Sequence, residues 1–135
     1  MNKLKVKIFI KVKYNYSTSR GKGIILMDCF GRRKEIYFSS LERTCNRAIM
    51  VATINALKTL NRPCEVSLYV QTNIGIRYLS NSKKNNKWVN KDLGEIILAT
   101  IEKGKHSIEI IDCSHFSEGQ LYQESLEGKL YEYFN

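Results

Sequence analysis

Basic and apolar side chains alternate almost strictly over residues 3–13. Successive side chains of a β-strand point to opposite faces of its sheet, so this period of two predicts a strand with one buried face. The apolar side consists of Val6, Ile8, Ile10 and Val12, and the opposite side carries Lys5, Lys7, Lys11 and Lys13.

Two further segments, 23–30 and 34–39, are apolar enough to form strands. The Ser-rich segment 15–22 predicts a loop before the first of them, and Gly31 with Arg32 predicts a turn between them. Connections this short join only antiparallel neighbours. The N-terminal part of the chain therefore predicts a three-stranded antiparallel meander.

The apolar spacing changes over residues 44–60, where Met50, Ile54 and Leu57 fall at i, i+4 and i+7. This is the spacing of an amphipathic helix. The Asn-Arg-Pro sequence that follows ends the helix. Segment 64–70 is β-branched and apolar enough to be a buried strand.

The second half of the sequence predicts three more helices and a last strand. Segment 72–79 predicts a short helix, and the polar, basic segment 80–87 predicts an exposed loop. Asn90 is a candidate N-cap for a helix that Gly104 closes, and segment 107–113 predicts the final strand. The positions that mark the two long helices are Leu93, Ile96, Ile97 and Ile101 in the first and Tyr122, Leu126 and Leu130 in the second.

Three local motifs stand in this order of elements: the strand 6–10, the helix start Thr44-Cys45-Asn46-Arg47, and Cys64-Glu65-Val66 followed by Leu68. They resemble the opening strand, the T-N-N-R helix start and the fourth strand of the type 1 ribonuclease H family. The resemblance covers essentially all of the 135 residues. It implies a single α/β domain over 1–135, whose five-stranded mixed sheet has three antiparallel strands, then two parallel ones, flanked by helices.

The resemblance also implies an activity, since family members cut the RNA strand of RNA-DNA hybrids with two Mg²⁺ ions held by four carboxylates. Lys11, Ile49 and Gln71 stand where three of these carboxylates are expected, and the fourth falls near Glu124. Mg²⁺ requires oxygen ligands, and an ammonium ~4 Å away repels it by several kcal/mol even at an effective dielectric of about 20. The site is therefore expected to be degenerate. The ammonium of Lys11 is expected to take the place of a metal ion and to pair with Glu124 or Glu127.

The charge predicts an anionic partner, because 22 Lys and Arg against 13 Asp and Glu give a net charge of +9. By the resemblance, Asn46 matches an Asn that contacts the hybrid backbone, whereas Cys45 replaces another and weakens the case for 2′-hydroxyl recognition. Tyr14, Tyr16 and Trp88 either stack on bases or cover the core. The residues expected to bind nucleic acid are Lys11, Lys13, Arg20, Lys22, Asn46, Arg47, Thr72, Lys83, Lys84 and Lys87.

The leading hypothesis is a catalytically inactive ribonuclease H-like domain that needs no cofactor or metal. It binds nucleic acid, whether RNA-DNA hybrid, duplex or single strand, through a basic surface. The first alternative is a homodimer or protein adaptor with an apolar patch around Ile10, Ile49 and Val70. The second is a metal-dependent endonuclease with a site rebuilt from Glu109, Asp112 and Glu124, although Glu109 and Asp112 fall on opposite faces of one strand.

Other chemistries are disfavoured. The four cysteines form no CxxC pair, and the set of His106, Cys113 and His115 fits no standard zinc spacing. By the resemblance, His115 stands where the family has a mobile His that assists product release. The sequence has neither a secretory signal nor a membrane-spanning stretch, which predicts a cytoplasmic protein with reduced thiols.

Overall fold

A computed structural model describes residues 3–70, 90–113 and 117–134 of the chain. Its strands are β1 (Leu4–Asn15), β2 (Arg20–Cys29), β3 (Arg32–Ser40), β4 (Cys64–Val70) and β5 (Ser107–Asp112). Its helices in these ranges are α1 (Cys45–Lys58), α2 (Lys91–Gly104) and α3 (Ser117–Phe134). The helix predicted over 72–79 and the loop predicted over 80–87 lie outside the described residues.

β1 lies at the centre of a five-stranded sheet with the order β3-β2-β1-β4-β5. The pairs β1–β2 and β2–β3 are antiparallel, whereas β1–β4 and β4–β5 are parallel. In the parallel pair, Leu4 lies opposite Cys64 and Phe9 opposite Tyr69, so β1 and β4 start together at one end of the sheet. The predicted fold class is confirmed: three antiparallel strands, then two parallel ones, with helices on the sheet.

The alternation in β1 separates two hydrophobic clusters, one on each face of the sheet. The predicted apolar side of β1 packs in the larger cluster with α1 and α2. On the other face, Phe9 packs with Ile24 and Leu26 of β2 and with Leu126 and Leu130 of α3. Phe9 is only 1% exposed. The lysine side of β1 is therefore not one continuous basic row, because α3 covers its middle.

α1 begins after Thr44, whose hydroxyl oxygen accepts a hydrogen bond from the Arg47 backbone N–H at 3.1 Å. This bond satisfies a donor that the first turn of a helix otherwise leaves without a partner. Met50, Ile54 and Leu57 are all buried in the larger cluster. The helix predicted over 44–60 is confirmed, and the predicted apolar face is the one that packs on the sheet.

β1 ends at Asn15 and β2 begins at Arg20, so the loop predicted over 15–22 is wrong for its first residue and for its last three. Asn15 already pairs with Arg20 across the hairpin. The connection 16–19 is stabilised by the Asn15 side-chain oxygen, which accepts from the Ser17 backbone N–H at 2.9 Å. Polar and glycine residues satisfy the backbone ladder as apolar ones do, and the pairing therefore extends beyond the hydrophobic run.

The two ends of α2 differ from the predicted caps. Asn90 occupies the N-cap position in the left-handed conformation, with φ at 57°, and its side chain makes no capping bond. At the other end, Lys105 and not Gly104 is left-handed, with φ at 56°. Gly104 is required for a different reason, because a Cβ atom there would lie 2.2 Å from Nε2 of His106.

The apolar positions predicted for the long helices are mostly buried. Leu93 and Ile97 of α2 and Leu126 and Leu130 of α3 lie in the core, whereas Ile96 is exposed. Across the described ranges, no helix combines the length and the apolar character that crossing a bilayer requires.

Candidate functional site

Lys11 lies on β1 opposite Ile24 of β2, on the face of the sheet that α3 covers. Ile24 is buried and Lys11 is half-buried, so the lysine stands at the border between the smaller cluster and solvent. Its charge reaches the start of α1: burial raises the pKa of the Cys45 thiol, and the Lys11 ammonium opposes that rise. β1 and α1 pack together in the larger cluster, as the resemblance implies.

Ile49 lies one turn further along α1 and is only 5% exposed within the larger hydrophobic cluster. Its backbone carbonyl accepts a hydrogen bond from the Thr53 hydroxyl at 2.9 Å. A carboxylate among these aliphatic side chains would lose its hydration without gaining a partner. The position that the resemblance assigns to a metal-binding Glu is therefore part of the core.

Glu124 and Glu127 are both exposed on α3. The ion pair that ties this helix to the sheet in the described residues joins Lys129 to Glu35 of β3 at 2.8 Å. The hydrogen bond from Lys129 lowers the pKa of Glu35. The pairing of Lys11 with Glu124 or Glu127 stays a prediction.

The residues at the expected metal position do not fit a pair of Mg²⁺ ions. The ammonium of Lys11 and the hydrocarbon side chain of Ile49 offer no oxygen ligand, and Gln71 lies outside the described residues. Over 3–70, 90–113 and 117–134, no three His, Cys, Asp or Glu residues come close enough together to hold a metal ion. No step of metal-assisted hydrolysis can be built from Lys11 and Ile49.

The alternative metal sets fall on β5 or next to it. Glu109 and Asp112 are three residues apart on this strand, a separation that assigns the two positions to opposite faces of the sheet. His106 precedes β5 and Cys113 follows it, so about 23 Å of extended chain separates these two. This is far beyond the span of a zinc site. His115 lies outside the described residues.

The apolar patch predicted for docking of a partner is wrong. Ile10, Ile49 and Val70 are 1%, 5% and 2% exposed and belong to the larger cluster. The chain's own packing covers these side chains, so they offer no surface to a second molecule.

Lys13 and Lys22 lie directly opposite each other across the β1–β2 pair, on the same face as Lys11. Like charges in such a cross-strand pair repel each other. Both lysines are exposed, and the Lys22 ammonium lies 5.1 Å from the ring centroid of Phe134. Among the described residues, neither lysine forms an ion pair with a carboxylate. With the exposed Arg20, these residues form a surface that we call the basic face: Lys11, Lys13, Arg20 and Lys22.

Arg47, also predicted to bind nucleic acid, is engaged within the fold, and its side chain is only 12% exposed. Its Nε donates to Glu42 at 3.0 Å, and its two terminal nitrogens donate to the carboxylate oxygens of Asp92 at 3.0 and 2.9 Å. Nη1 also donates to the Asn90 side-chain oxygen at 3.3 Å. The hydrogen bonds from Arg47 lower the pKa of Asp92 to about 2. Arg47 thus joins the start of α1 to the start of α2, and its contact with nucleic acid stays a prediction.

Tyr14 and Tyr16, which follow Lys13 in the sequence, divide between the two predicted roles. The hydroxyl of Tyr14 donates to the Glu42 backbone carbonyl, and its half-buried ring covers the core. Tyr16 meets that ring edge to face at 4.6 Å and is itself 68% exposed. Asn46 is half-buried in the first turn of α1, and its predicted contact is untested. The other predicted contacts lie outside the described residues: Thr72, Lys83, Lys84, Lys87 and Trp88.

The chain matches no protein-family model. It is 26% identical over 130 residues to Ribonuclease H of Legionella pneumophila (strain Corby), which covers 94% of this chain and 91% of the relative. It is 41% identical over 61 residues to Ribonuclease H of Hydrogenovibrio crunogenus, covering 42% of this chain and 41% of the relative. The chain is therefore similar to curated ribonucleases H over nearly its whole length, and its sheet order β3-β2-β1-β4-β5 matches a ribonuclease H-like fold.

Proposed function

We propose that this chain is a catalytically inactive ribonuclease H-like domain that binds nucleic acid through the basic face. The observation that carries the proposal is the exposed cross-strand pair of Lys13 and Lys22. Two like charges held opposite each other lower the stability of a sheet. A phosphate backbone lying across them replaces this repulsion with attraction, and it releases counterions as it binds.

Nucleic acid suits the basic face better than an acidic protein does. The relatives are named Ribonuclease H, and the net charge of +9 favours a polyanion with closely spaced charges. The exposed ring of Tyr16 lies in the connection between β1 and β2, packed on Tyr14, and offers an aromatic surface to a base that is out of its stack. These features support binding to the backbone and to bases, with the RNA-DNA hybrid as the first ligand to test.

Inactivity is the second half of the proposal. Metal-dependent hydrolysis of a phosphodiester needs oxygen ligands that hold the ions beside the scissile phosphate. Lys11 brings a positive charge of its own to the place where the resemblance expects a metal ligand, and Ile49 is enclosed by the core. In this proposal, Lys11 neutralises a bound phosphate without activating water.

The four free thiols fit a reducing compartment, and a cytoplasmic location belongs to the same proposal.

The test is the salt dependence of binding, measured by the fluorescence anisotropy of a labelled RNA-DNA hybrid. Each lysine that contacts a phosphate adds about 1 to the slope of log Kd against log salt. The double variant Lys13→Gln/Lys22→Gln is expected to bind more weakly and to lower the slope by about 2.

The matched control removes the same charge elsewhere, with Lys34→Gln on β3 and Lys91→Gln on α2, both exposed positions away from the basic face. This control is expected to keep the slope of the wild-type protein. Equal losses in the two double variants, or binding by the wild-type protein that ignores salt, would remove the basic face as the binding surface.

A further inference from the structure

A cavity of about 620 Å³ opens where α1 and α2 end and where β4 and β5 begin. This is the end of the sheet opposite to Lys11. Leu4 pairs with the first residue of β4 and is seven positions from Lys11 in β1, a distance of about 23 Å along the strand. The cavity is therefore separate from the basic face.

Positive charge dominates this cavity. The cations that line it are Lys58, Arg62, Lys103 and Lys105, and none of the described residues that line it is an Asp or Glu. The two helix C-termini supply about half a negative charge each. Lys58 and Lys103 stand in the last turns and offset that charge. Arg62 and Lys105 therefore remain as excess positive charge.

A buried histidine among the lining residues contributes a hydrogen-bond donor. His106 is 8% exposed, and its Nδ1 accepts a hydrogen bond from the Cys64 backbone N–H at 3.0 Å. This bond requires a lone pair on Nδ1, so the proton of the neutral ring is on Nε2. Nε2 makes no hydrogen bond with any described residue. It lies against Gly104, whose lack of a Cβ leaves room for it beside the cavity.

The cavity also has an apolar part, formed by Leu57, Leu60 and Pro63. Inorganic phosphate alone would leave this part unused, and the volume is within the range of sites for small organic ligands, roughly 300–1,000 Å³. We propose that the cavity binds a nucleoside phosphate, whose phosphate is held by Arg62, Lys105 and the His106 Nε2–H while the base covers the apolar part. The ligand is either a free mononucleotide or the 5′-terminal nucleotide of a strand.

The experiment is an NMR titration of the ¹⁵N-labelled protein with UMP, with uridine and with inorganic phosphate. UMP is expected to shift the His106 Nε2–H resonance and the backbone amides of 103–106. Uridine and phosphate are each expected to bind at least about 10-fold more weakly, because each makes only part of the contacts.

Two single variants of exposed residues, Arg62→Gln and Lys105→Gln, are each expected to weaken UMP binding about 10-fold. Lys91→Gln, which also removes one exposed charge from the α2 region, is expected to leave UMP binding unchanged. Loss in all three variants alike would reduce the effect to net charge and overturn the proposal, as would UMP shifts that do not include His106.

Two oligouridines that differ only in a 5′-phosphate or a 5′-hydroxyl identify the source of the ligand. If the 5′-phosphorylated oligouridine shifts the His106 resonance and the 5′-hydroxyl oligouridine does not, the ligand is the end of a strand. If UMP shifts this resonance and neither oligouridine does, the ligand is a free mononucleotide. Equal shifts from both oligouridines would overturn the terminal site. Because the basic face is about 23 Å away along β1, loss of hybrid binding there and loss of UMP binding here are separate results.

Discussion

The guanidinium of Arg47 on α1 and the carboxylate of Asp92 on α2 form a bidentate pair, with hydrogen bonds of 3.0 and 2.9 Å between residues 45 positions apart. Such a pair fixes the relative orientation of both groups as well as their distance. Because the Arg47 side chain is largely buried and also binds Glu42, the pair joins two helices that pack over the same face of the sheet.

Arg47→Ala is expected to lower the free energy of unfolding by about 2 kcal/mol, since hydrogen bonds to charged groups are lost at a largely buried site. Arg47→Lys keeps the charge but not the bidentate geometry, and it should fall between Ala and the wild-type protein. Urea unfolding measures both. The control is Arg33→Ala, whose ion pair with Asp28 involves a 58% exposed side chain; its loss should cost less than about 0.5 kcal/mol. Equal losses would contradict a structural role for Arg47.

The pair also predicts a dependence of stability on pH. The pKa of Asp92 is about 2 in the fold against an ordinary value of 3.8, so its contribution is complete above pH about 4 and is lost as the pH falls towards 2. The stability difference between the wild-type protein and Asp92→Asn should therefore be largest near neutral pH and shrink in acid. Added salt should reduce it, because the Asp92 side chain is 61% exposed. A difference that stays constant from pH 7 to acid would refute this assignment.

Gly104 and Gly128 predict opposite effects of the same substitution in two helices. A Cβ at Gly104 would lie 2.2 Å from His106 Nε2, whereas a Cβ at Gly128 meets nothing within 4 Å. Gly104→Ala should destabilise the protein by about 1–3 kcal/mol through overpacking, and Gly128→Ala should stabilise it by up to about 1 kcal/mol through helix propensity. Thermal unfolding of the two variants is a direct comparison, and a stabilised Gly104→Ala protein would mean that His106 does not hold this position.

The placement of Ile49 in the core predicts that a carboxylate cannot simply be restored there. Ile49→Glu should cost more than about 3 kcal/mol, because an ionised or protonated carboxyl would lack partners among aliphatic side chains. Ile49→Val should cost only about 1 kcal/mol. Urea unfolding of the two variants measures this difference. If Ile49→Glu is as stable as Ile49→Val, the side chain must reach solvent and the site is more open than its 5% exposure indicates.

The periodicity of the sequence predicted most of the fold, because its strands and helices bury faces that repeat every two or 3.6 residues. The segment 64–70 was placed as β4 to the residue, since its apolar run ends where the strand ends. The start of β2 at Arg20 was missed, because Arg20 and Lys22 pair through their backbone while their side chains carry no apolar signal.

The candidate site was harder to predict, because it depends on contacts between distant parts of the chain. No local pattern shows that Arg47 binds Asp92 or that Lys13 lies opposite Lys22. The predicted apolar patch was wrong for a related reason. Ile10 and Ile49 do belong to one cluster, but that cluster is the buried core and not an exposed surface. The alternation that placed Ile10 on the apolar side of β1 was already a signal of its burial.

The most direct test of the account is single-turnover incubation of excess protein with labelled RNA-DNA hybrid in Mg²⁺ or Mn²⁺, with binding followed in the same samples and in EDTA. A domain with Lys11 in place of a metal ligand should bind the hybrid without metal and leave it uncut. Cleavage by the wild-type protein that depends on the metal and is abolished by Glu124→Gln would contradict the account.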